Sequence, residues 1–165
     1  MAEKNFGARS TALEVIAGHD LHGRDAIVTG GASGIGVETV RALATAGARV
    51  VIATRDRAKG ESVVTTLRKE TGSGAIEFRS LDLGSLASVR AFVAEYLKLS
   101  RKLHLLINNA GIMATPLAYT PDGFESQFGT NHIGHFALTT GLIPALKAAG
   151  KARIVESDFD RASAL

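Results

Sequence analysis

Cysteine is absent from the 165 residues, which excludes a disulfide framework and any thiolate metal site and fits a reducing cytosol. No apolar run approaches the roughly 18 residues needed to span a bilayer, so no membrane span is expected. The amino terminus carries Glu3, Glu14 and Asp20 and lacks an apolar core of about 7 to 15 residues. No secretory signal is expected, and the location read from the sequence is cytoplasmic. A basic tract is missing too. The net charge is +3 and the pI about 9.4, yet Lys and Arg are interleaved with Asp and Glu, which argues solubility and no nucleic-acid partner. With 45% hydrophobic and 21% charged residues and no low-complexity tract, the composition is that of a globular domain. A chain of this length is expected to form one domain and to bury about 70% of its unfolded surface.

What the chain does contain is an apolar run that turns through glycines into a helix, Ala26-Ile27-Val28-Thr29-Gly30-Gly31-Ala32-Ser33-Gly34-Ile35-Gly36. Ala26 to Thr29 suit a buried parallel strand, and Val37, Val40, Leu43 and Ala44 recur at helical spacing beyond the glycines. The turn is either an ordinary strand-to-helix connection or a cradle for a nucleotide phosphate. The cradle has a physical rationale. The first N–H groups of a helix have no partner within it, and the helix dipole adds partial positive charge, so a pyrophosphate is stabilised there. Glycine lets the backbone approach, because a Cβ would hold the phosphate away or block a positive φ.

In the lead-in, residues 1–23, Thr11 and Glu14 have capping-box spacing, which predicts a short helix from about Ala12 to Ala17 ended by Gly18. Arg49 to Ala53 is a second buried strand, ending in Thr54-Arg55-Asp56-Arg57. An acidic residue at this point of a dinucleotide-binding unit favours NAD, whereas an arginine accommodates a 2′-phosphate, so Arg55 favours NADP. The competing reading is a surface arginine paired with Asp56 or Glu61. A helix from about Ala58 to Glu70 stops at Gly72, and a third strand from Ala75 to Ser80 delivers Leu81-Asp82-Leu83 to the same rim. Asp82 either accepts from an adenine amino group or begins the turn before a helix capped by Ser85. Leu105 to Gly111 is a fourth apolar strand running into two asparagines, Asn108 and Asn109, whose amides can tie neighbouring strands together, and a small-residue turn, Ala110-Gly111.

Asp122-Gly123 opens a long helical pattern containing Phe124, Phe128, Phe136, Leu142, Ile143 and Leu146, which Pro144 bends or shortens. It carries Asn131, His132 and His135. The two histidines are three apart, but no third ligand has suitable spacing, and no metal is expected. Ala152 to Val155 is a fifth strand. Strand and helix alternate five times, which predicts an α/β fold, a doubly wound, Rossmann-like parallel sheet of about five strands with helices on both faces. Residues 24–155 form the dinucleotide-binding unit and 156–165 a divergent tail.

Four motifs, Thr29-Gly30-x-x-x-Gly34-Ile35-Gly36, Asp82-Leu83, Asn108-Asn109-Ala110-Gly111 and Asn131-x-x-Gly134-x-Phe136, together resemble the short-chain dehydrogenase/reductase family. The lead-in Phe6-Gly7-Ala8-x-Ser10-Thr11-Ala12 and Ala53-Thr54-Arg55-Asp56 are similar to its retinol-dehydrogenase-like and WW-domain-oxidoreductase-like branch. The resemblance covers about residues 6 to 155. It implies that Thr29, Gly30, Ser33, Gly34, Ile35 and Gly36 line the pyrophosphate, and that Arg55 meets the 2′-phosphate of NADP(H). Asp82, with Leu83 beside it, would meet the adenine, and Asn109, Ala110 and Gly111 would pass the cofactor ribose. Asn131 would be the catalytic asparagine that holds a proton-relay water. The family moves a hydride between the nicotinamide and a carbonyl or alcohol, here a small apolar one. A tyrosine serves it as acid/base, a lysine four residues on lowers the tyrosine pKa, and a serine orients the substrate oxygen.

The chain departs from this pattern. Its two tyrosines, Tyr96 and Tyr119, are followed four residues later by Ser100 and Gly123, so no Tyr-x-x-x-Lys exists. After Val155 the family's Asn-Val-Ser-Ser-like turn is replaced by Glu156-Ser157-Asp158-Phe159-Asp160. Phe159 stands where the serine is expected, and Ser157 falls two residues early, on the other side of a continuing strand. General acid catalysis contributes roughly 10² to 10⁴ in rate, so the chain alone is expected to be nearly inert. Three readings follow from the sequence: the cofactor-binding half of an NADP-dependent oxidoreductase cut short, a non-catalytic NADP-binding or partner-binding module, or an enzyme whose acid comes from another subunit. The fifth strand would be an open edge with an uncovered apolar face, through which association or homo-oligomerisation is expected.

Overall fold

The apolar run ending at Thr29 becomes the central strand β1 (Asp25–Thr29), whose last four residues are all buried. In the computed structural model, which describes residues 6, 7 and 9–157, it is flanked by β2 (Arg49–Thr54), β3 (Ile76–Ser80), β4 (Leu105–Asn108) and β5 (Arg153–Glu156). All pairings are parallel and the order is β3-β2-β1-β4-β5, so the sheet is the expected five-stranded, doubly wound one. The chain winds outward through β2 and β3, then returns to the other side of β1 for β4 and β5. Connections therefore diverge above β1 and β4, which opens a crevice at their carboxyl ends.

Alternation along the strands separates two cores. Ala26 and Val28 face α2 (Gly34–Thr45) and α3 (Arg57–Thr71), packing with Val40, Leu43, Val64 and Leu67. Ile27 faces α4 (Leu86–Lys98), packing with Val89, Phe92 and Tyr96 and with Leu138 and Leu146 from later helices. Each such aliphatic side chain contributes about 1.5–3 kcal/mol by leaving water. The lead-in helix α1 (Ala12–Ile16) forms with both halves of the capping box in place and lies beside α2. Gly72, at φ 68°, closes α3.

The long helix expected from Asp122 onward is the main correction. Asp122 and Gly123 lie in a turn. The Asp122 carboxylate accepts from the N–H of Leu86 at 2.8 Å, capping α4 instead of its own segment. Glu125 starts the helical region by accepting from Gln127 and Phe128, and α5 (Ser126–Phe128) passes directly into a π-helical stretch, Gly129–Gly134. Then α6 (His135–Gly141) stops at Leu142 and α7 (Ile143–Ala148) restarts, since the ring of Pro144 cannot continue the first helix. Phe128, Phe136 and Ile143, part of the expected apolar pattern, are exposed.

The two edges of the sheet differ. On β3 the outward carbonyl of Ile76 accepts two bonds from the Arg68 guanidinium, at 3.0 and 2.6 Å. On β5 every residue is exposed, Ile154 and Val155 by 47% and 44%. Gly134 lies tightly against the loop after β3: a Cβ there would lie 2.3 Å from the carbonyl oxygen of Leu83. Gly134→Ala is therefore expected to destabilise the fold by about 1–3 kcal/mol, since backbone and not a flexible side chain must move. Thermal unfolding checks this: the melting temperature should drop by several degrees, and an unchanged value would show that the loop yields freely.

Candidate functional site

An open cleft of about 590 Å³ lies at the carboxyl ends of β1, β2 and β4, above the crevice created by the winding. The cleft is lined by Gly30, Ser33, Gly34, Ile35 and Gly36 from the glycine turn, by Arg55 from the end of β2, by Asp82 and Leu83 after β3, and by Asn109, Ala110 and Gly111 after β4. Thr29 lies beneath it, fully buried. The structure thus brings to one place every cofactor-site residue expected from the sequence. A second cleft, of about 660 Å³ at the β3 edge, is lined by Arg57, Arg68 and Arg79. Its cations are answered locally: Arg57 by Glu61 at 2.8 Å, Arg79 by Glu77 at 3.5 Å, and Arg68 by the Ile76 carbonyl.

The floor of the first cleft is built on Thr29. Its hydroxyl oxygen accepts from the backbone N–H groups of Asn109 and Ala110, both at 2.9 Å, and the Asn109 side chain donates back to the Thr29 carbonyl at 3.0 Å. The ends of β1 and β4 are fastened together, and the glycine turn is pressed against them. Gly30 has φ 65°, and a Cβ on it would lie 3.0 Å from the Ala110 backbone. On Gly36 a Cβ would lie 2.5 Å from the Gly30 carbonyl and 2.7 Å from the Asn109 amide. Only hydrogen fits. Ser33, at the N-cap of α2, is extended and makes no capping bond, so no side chain caps the first N–H groups of the helix. That uncapped, dipole-bearing end suits an anion.

Charge at the rim follows from what local caps consume. Asp56 caps α3 by accepting from Lys59 N at 2.9 Å, and Glu61 is taken by Arg57. Both carboxylates that compete for Arg55 are thus engaged elsewhere, and among the described residues Arg55 has no ion pair. Lys59, one turn into α3, lines the same cleft. The sequence reading missed it, though its place four residues after Arg55, inside a helix with a recognisable N-cap, was the available signal. Asp82 makes the turn: one carboxylate oxygen accepts from Gly84 N at 2.9 Å, and its own N–H donates to Ser88. Ser85 caps α4 as expected.

Asn131 sits in the π-helical stretch. Its side chain pairs with the backbone of Ile112 in both directions, accepting at 2.9 Å and donating at 2.8 Å, which leaves one amide hydrogen and one lone pair for other partners. Asn108, buried beneath, donates to Thr139 at 3.0 Å and to Glu156 at 2.6 Å. The two histidines diverge. His132 stacks on Phe128 at the surface, whereas His135 is buried with Nε2 2.9 Å from the Thr29 hydroxyl. No cluster of three potential metal ligands is present among the described residues. Neither tyrosine lines the cleft. Tyr96 is core, and burial pushes its phenol up to about 12, the wrong direction for a proton donor near neutrality. Tyr119 is exposed. Ser157 continues from β5, donating its N–H to Asn108 at 3.0 Å, and Phe159 lies outside the described residues.

Residues 24–157 match the family model for short chain dehydrogenase. The chain is 49% identical over 135 residues to retinol dehydrogenase 12 of Mus musculus, covering 82% of this chain and 43% of that protein. Among solved structures it is similar to the RhlG/NADP active-site complex of Pseudomonas aeruginosa, with 34% identity and a TM-score of 0.67 over 79% of this chain and 50% of that one. It is also similar to 3-ketoacyl-(acyl-carrier-protein) reductase of Brucella melitensis complexed with NADH, at 34% identity and a TM-score of 0.66, over 79% and 53%. The chain spans about half the length of these proteins or less.

Two buried rings make stability depend on pH. Burial holds His135 below its ordinary value of 6.5, and burial, with Arg24 and Lys102 nearby, does the same to His104. With folded-state values depressed, the unfolded chain takes up these protons first as pH falls. Nothing is lost above about pH 7; the loss begins below about 6.5 and is complete once the folded-state values are passed. The lowered carboxylates Glu14, Asp20 and Glu125 act only below about pH 4.5. Melting temperatures at about pH 7.5 and 5.5 should therefore differ, the second being lower, and equal values would mean that the rings protonate without cost.

Proposed function

The chain belongs to the short-chain dehydrogenase family, and from that premise we propose that it is the cofactor-binding half of an NADP(H)-dependent oxidoreductase acting on an apolar alcohol or carbonyl. The observation that carries the choice of NADP(H) is the uncommitted guanidinium of Arg55 in the same cleft as the glycine turn. A 2′-phosphate is answered bidentately by such a group, whereas a bare 2′-hydroxyl leaves it without a partner. In this reading residues 24–155 are the dinucleotide-binding unit, 1–23 a lead-in and 156–165 a divergent tail. The uncapped first turn of α2, with Thr29, Gly30, Ser33, Gly34, Ile35 and Gly36, holds the pyrophosphate. Asp82 and Leu83 border the adenine; Asn109, Ala110 and Gly111 border the ribose. Asn131 is the catalytic asparagine, fixed in place by Ile112.

The dinucleotide, when bound, supplies or accepts the hydride. The residues of this chain bind and orient it, but among the described residues neither tyrosine serves as a proton donor in the cleft, since Tyr96 is committed to the core and Tyr119 has no lysine four residues on. The relative named for retinol supports an apolar alcohol or carbonyl as substrate class. A second reading, a non-catalytic NADP-binding module, is favoured by the same contrast between a complete cradle and a missing acid.

Titration with NADPH and NADH, followed by cofactor fluorescence, tests the site. NADPH is expected to bind at least tenfold more tightly, about 1.4 kcal/mol, with Arg55→Ala abolishing most of that preference. Turnover of an apolar alcohol should stay at the uncatalysed level. No saturable binding of either cofactor would sink both readings, and turnover would sink the assignment of a missing acid. Association through the open β5 edge belongs to the same proposal. Sedimentation should show concentration-dependent self-association that Val155→Lys reduces, and a monomer at all concentrations would refute it.

A further inference from the structure

We infer that His135 is a positioning residue: a neutral ring with its proton on Nδ1, it clamps the helical segment bearing Asn131 to the dinucleotide cradle. The functional meaning rests on the cofactor site proposed above, but the hydrogen-bond argument stands without it. The Thr29 hydroxyl has two lone pairs and one hydrogen. Both lone pairs are occupied by the N–H groups of Asn109 and Ala110. The hydroxyl can then only donate, and its choices are the Ile107 carbonyl at 3.4 Å and His135 Nε2 at 2.9 Å. The nearer acceptor must carry a lone pair, so Nε2 is unprotonated. At the other side of the ring, Nδ1 is 2.9 Å from the carbonyl oxygen of Asn131, which can only accept, so Nδ1 carries the hydrogen. Two independent contacts demand the same tautomer.

The ring is 4% exposed, so water does not compete for either nitrogen. The clamp closes a circuit. From Thr29 it passes through His135 to the Asn131 backbone, through the Asn131 side chain to Ile112, and back along residues 109–112 to the amides that Thr29 holds. The segment beside the proposed ribose site is thereby held at both ends. A second proton on the ring would place a third donor against the Thr29 oxygen and turn the hydroxyl towards the distant Ile107 carbonyl. Of the groups acting on the ring, the Asn131 carbonyl and the Glu156 carboxylate favour that proton and burial opposes it more strongly.

The test is a long-range 1H–15N correlation spectrum of the labelled 165-residue chain near neutral pH, with the His135 signals assigned by their loss in His135→Phe. An Nδ1-protonated ring is expected in the unmodified chain, in Thr29→Ser and in Thr29→Val, where the Asn131 carbonyl still holds the Nδ1 hydrogen, but in Thr29→Val the Nε2 resonance should move because the hydrogen bond it accepts is gone. An Nε2-protonated ring in the unmodified chain, or an Nε2 resonance unmoved by Thr29→Val, would overturn the inference. Should Thr29→Val fail to fold, the unmodified and Thr29→Ser spectra still decide. His135→Phe is also expected to weaken NADPH binding roughly tenfold, the worth of about one hydrogen bond, while Phe136→Ala on the exposed side leaves it unchanged. Undiminished binding in a folded His135→Phe would remove the positioning role. If the unmodified chain binds no dinucleotide at all, the proposed function fails and the tautomer alone decides the clamp.

Discussion

One buried hydroxyl, that of Thr29, determines whether the crevice has a floor. It ends the central strand, answers two amides from the end of β4 and faces the ring of His135 at the start of α6. Three parts of the chain far apart in sequence meet on a single oxygen. A methyl group of the same size would regain less than about 1 kcal/mol from apolar burial, while each buried amide left without an acceptor costs about 1–3 kcal/mol. Hydrogen bonding, not packing, therefore sets the residue at this position. The glycine turn depends on it in turn, because Gly30 and Gly36 can be pressed against Ala110 and Asn109 only while those residues are held still.

Electrostatics at the rim follow a similar economy. Several acidic residues are spent on helix ends: Asp56, which lines the cleft, on α3, and away from it Glu125 on α5 and Asp122 on α4 across the loop. Such caps contribute about 1 kcal/mol each, which is more than an exposed ion pair returns. The carboxylates go to the backbone, and the cations Arg55 and Lys59 are left facing the cleft. The cleft holds two cations, Arg55 and Lys59, and two carboxylates, Asp56 and Asp82, each of the latter accepting from a backbone N–H.

This explains which parts of the molecule could be read in the sequence. The five strands, their parallel pairing and the helices on both faces follow from β-branched runs alternating with helical spacing, and only strand ends shifted. The glycine turn between β1 and α2 was legible because a positive φ at Gly30 and the lack of room for a Cβ at Gly36 are demands that glycine meets. The competition for Arg55 was not, since Asp56 and Glu61 stand equally near in sequence and only the folded caps decide between them. The helix after Asp122 was misread because its apolar pattern runs on unbroken, while the features that end or deform it are a long-range cap, a π-helical stretch and Pro144. His132 and His135 were placed on one helical face by their spacing, though no metal was expected there for want of a third ligand. Three residues apart fits one helical face, but one ring is stacked on Phe128 outside and the other is consumed inside.

The two margins of the sheet have a consequence for how more structure can join it. Arg68 stoppers the β3 margin by occupying the carbonyl that a new neighbour would need, whereas β5 offers its backbone and both side-chain faces to solvent. The sheet is thus a ribbon with a sealed end and a growing end. Whatever extends it, from the same polypeptide or another, must enter on the side where the β4 and β5 ends meet the rim of the cleft. Added strands lengthen the wall of the crevice there, and the side bordered by β2 and β3 keeps its shape.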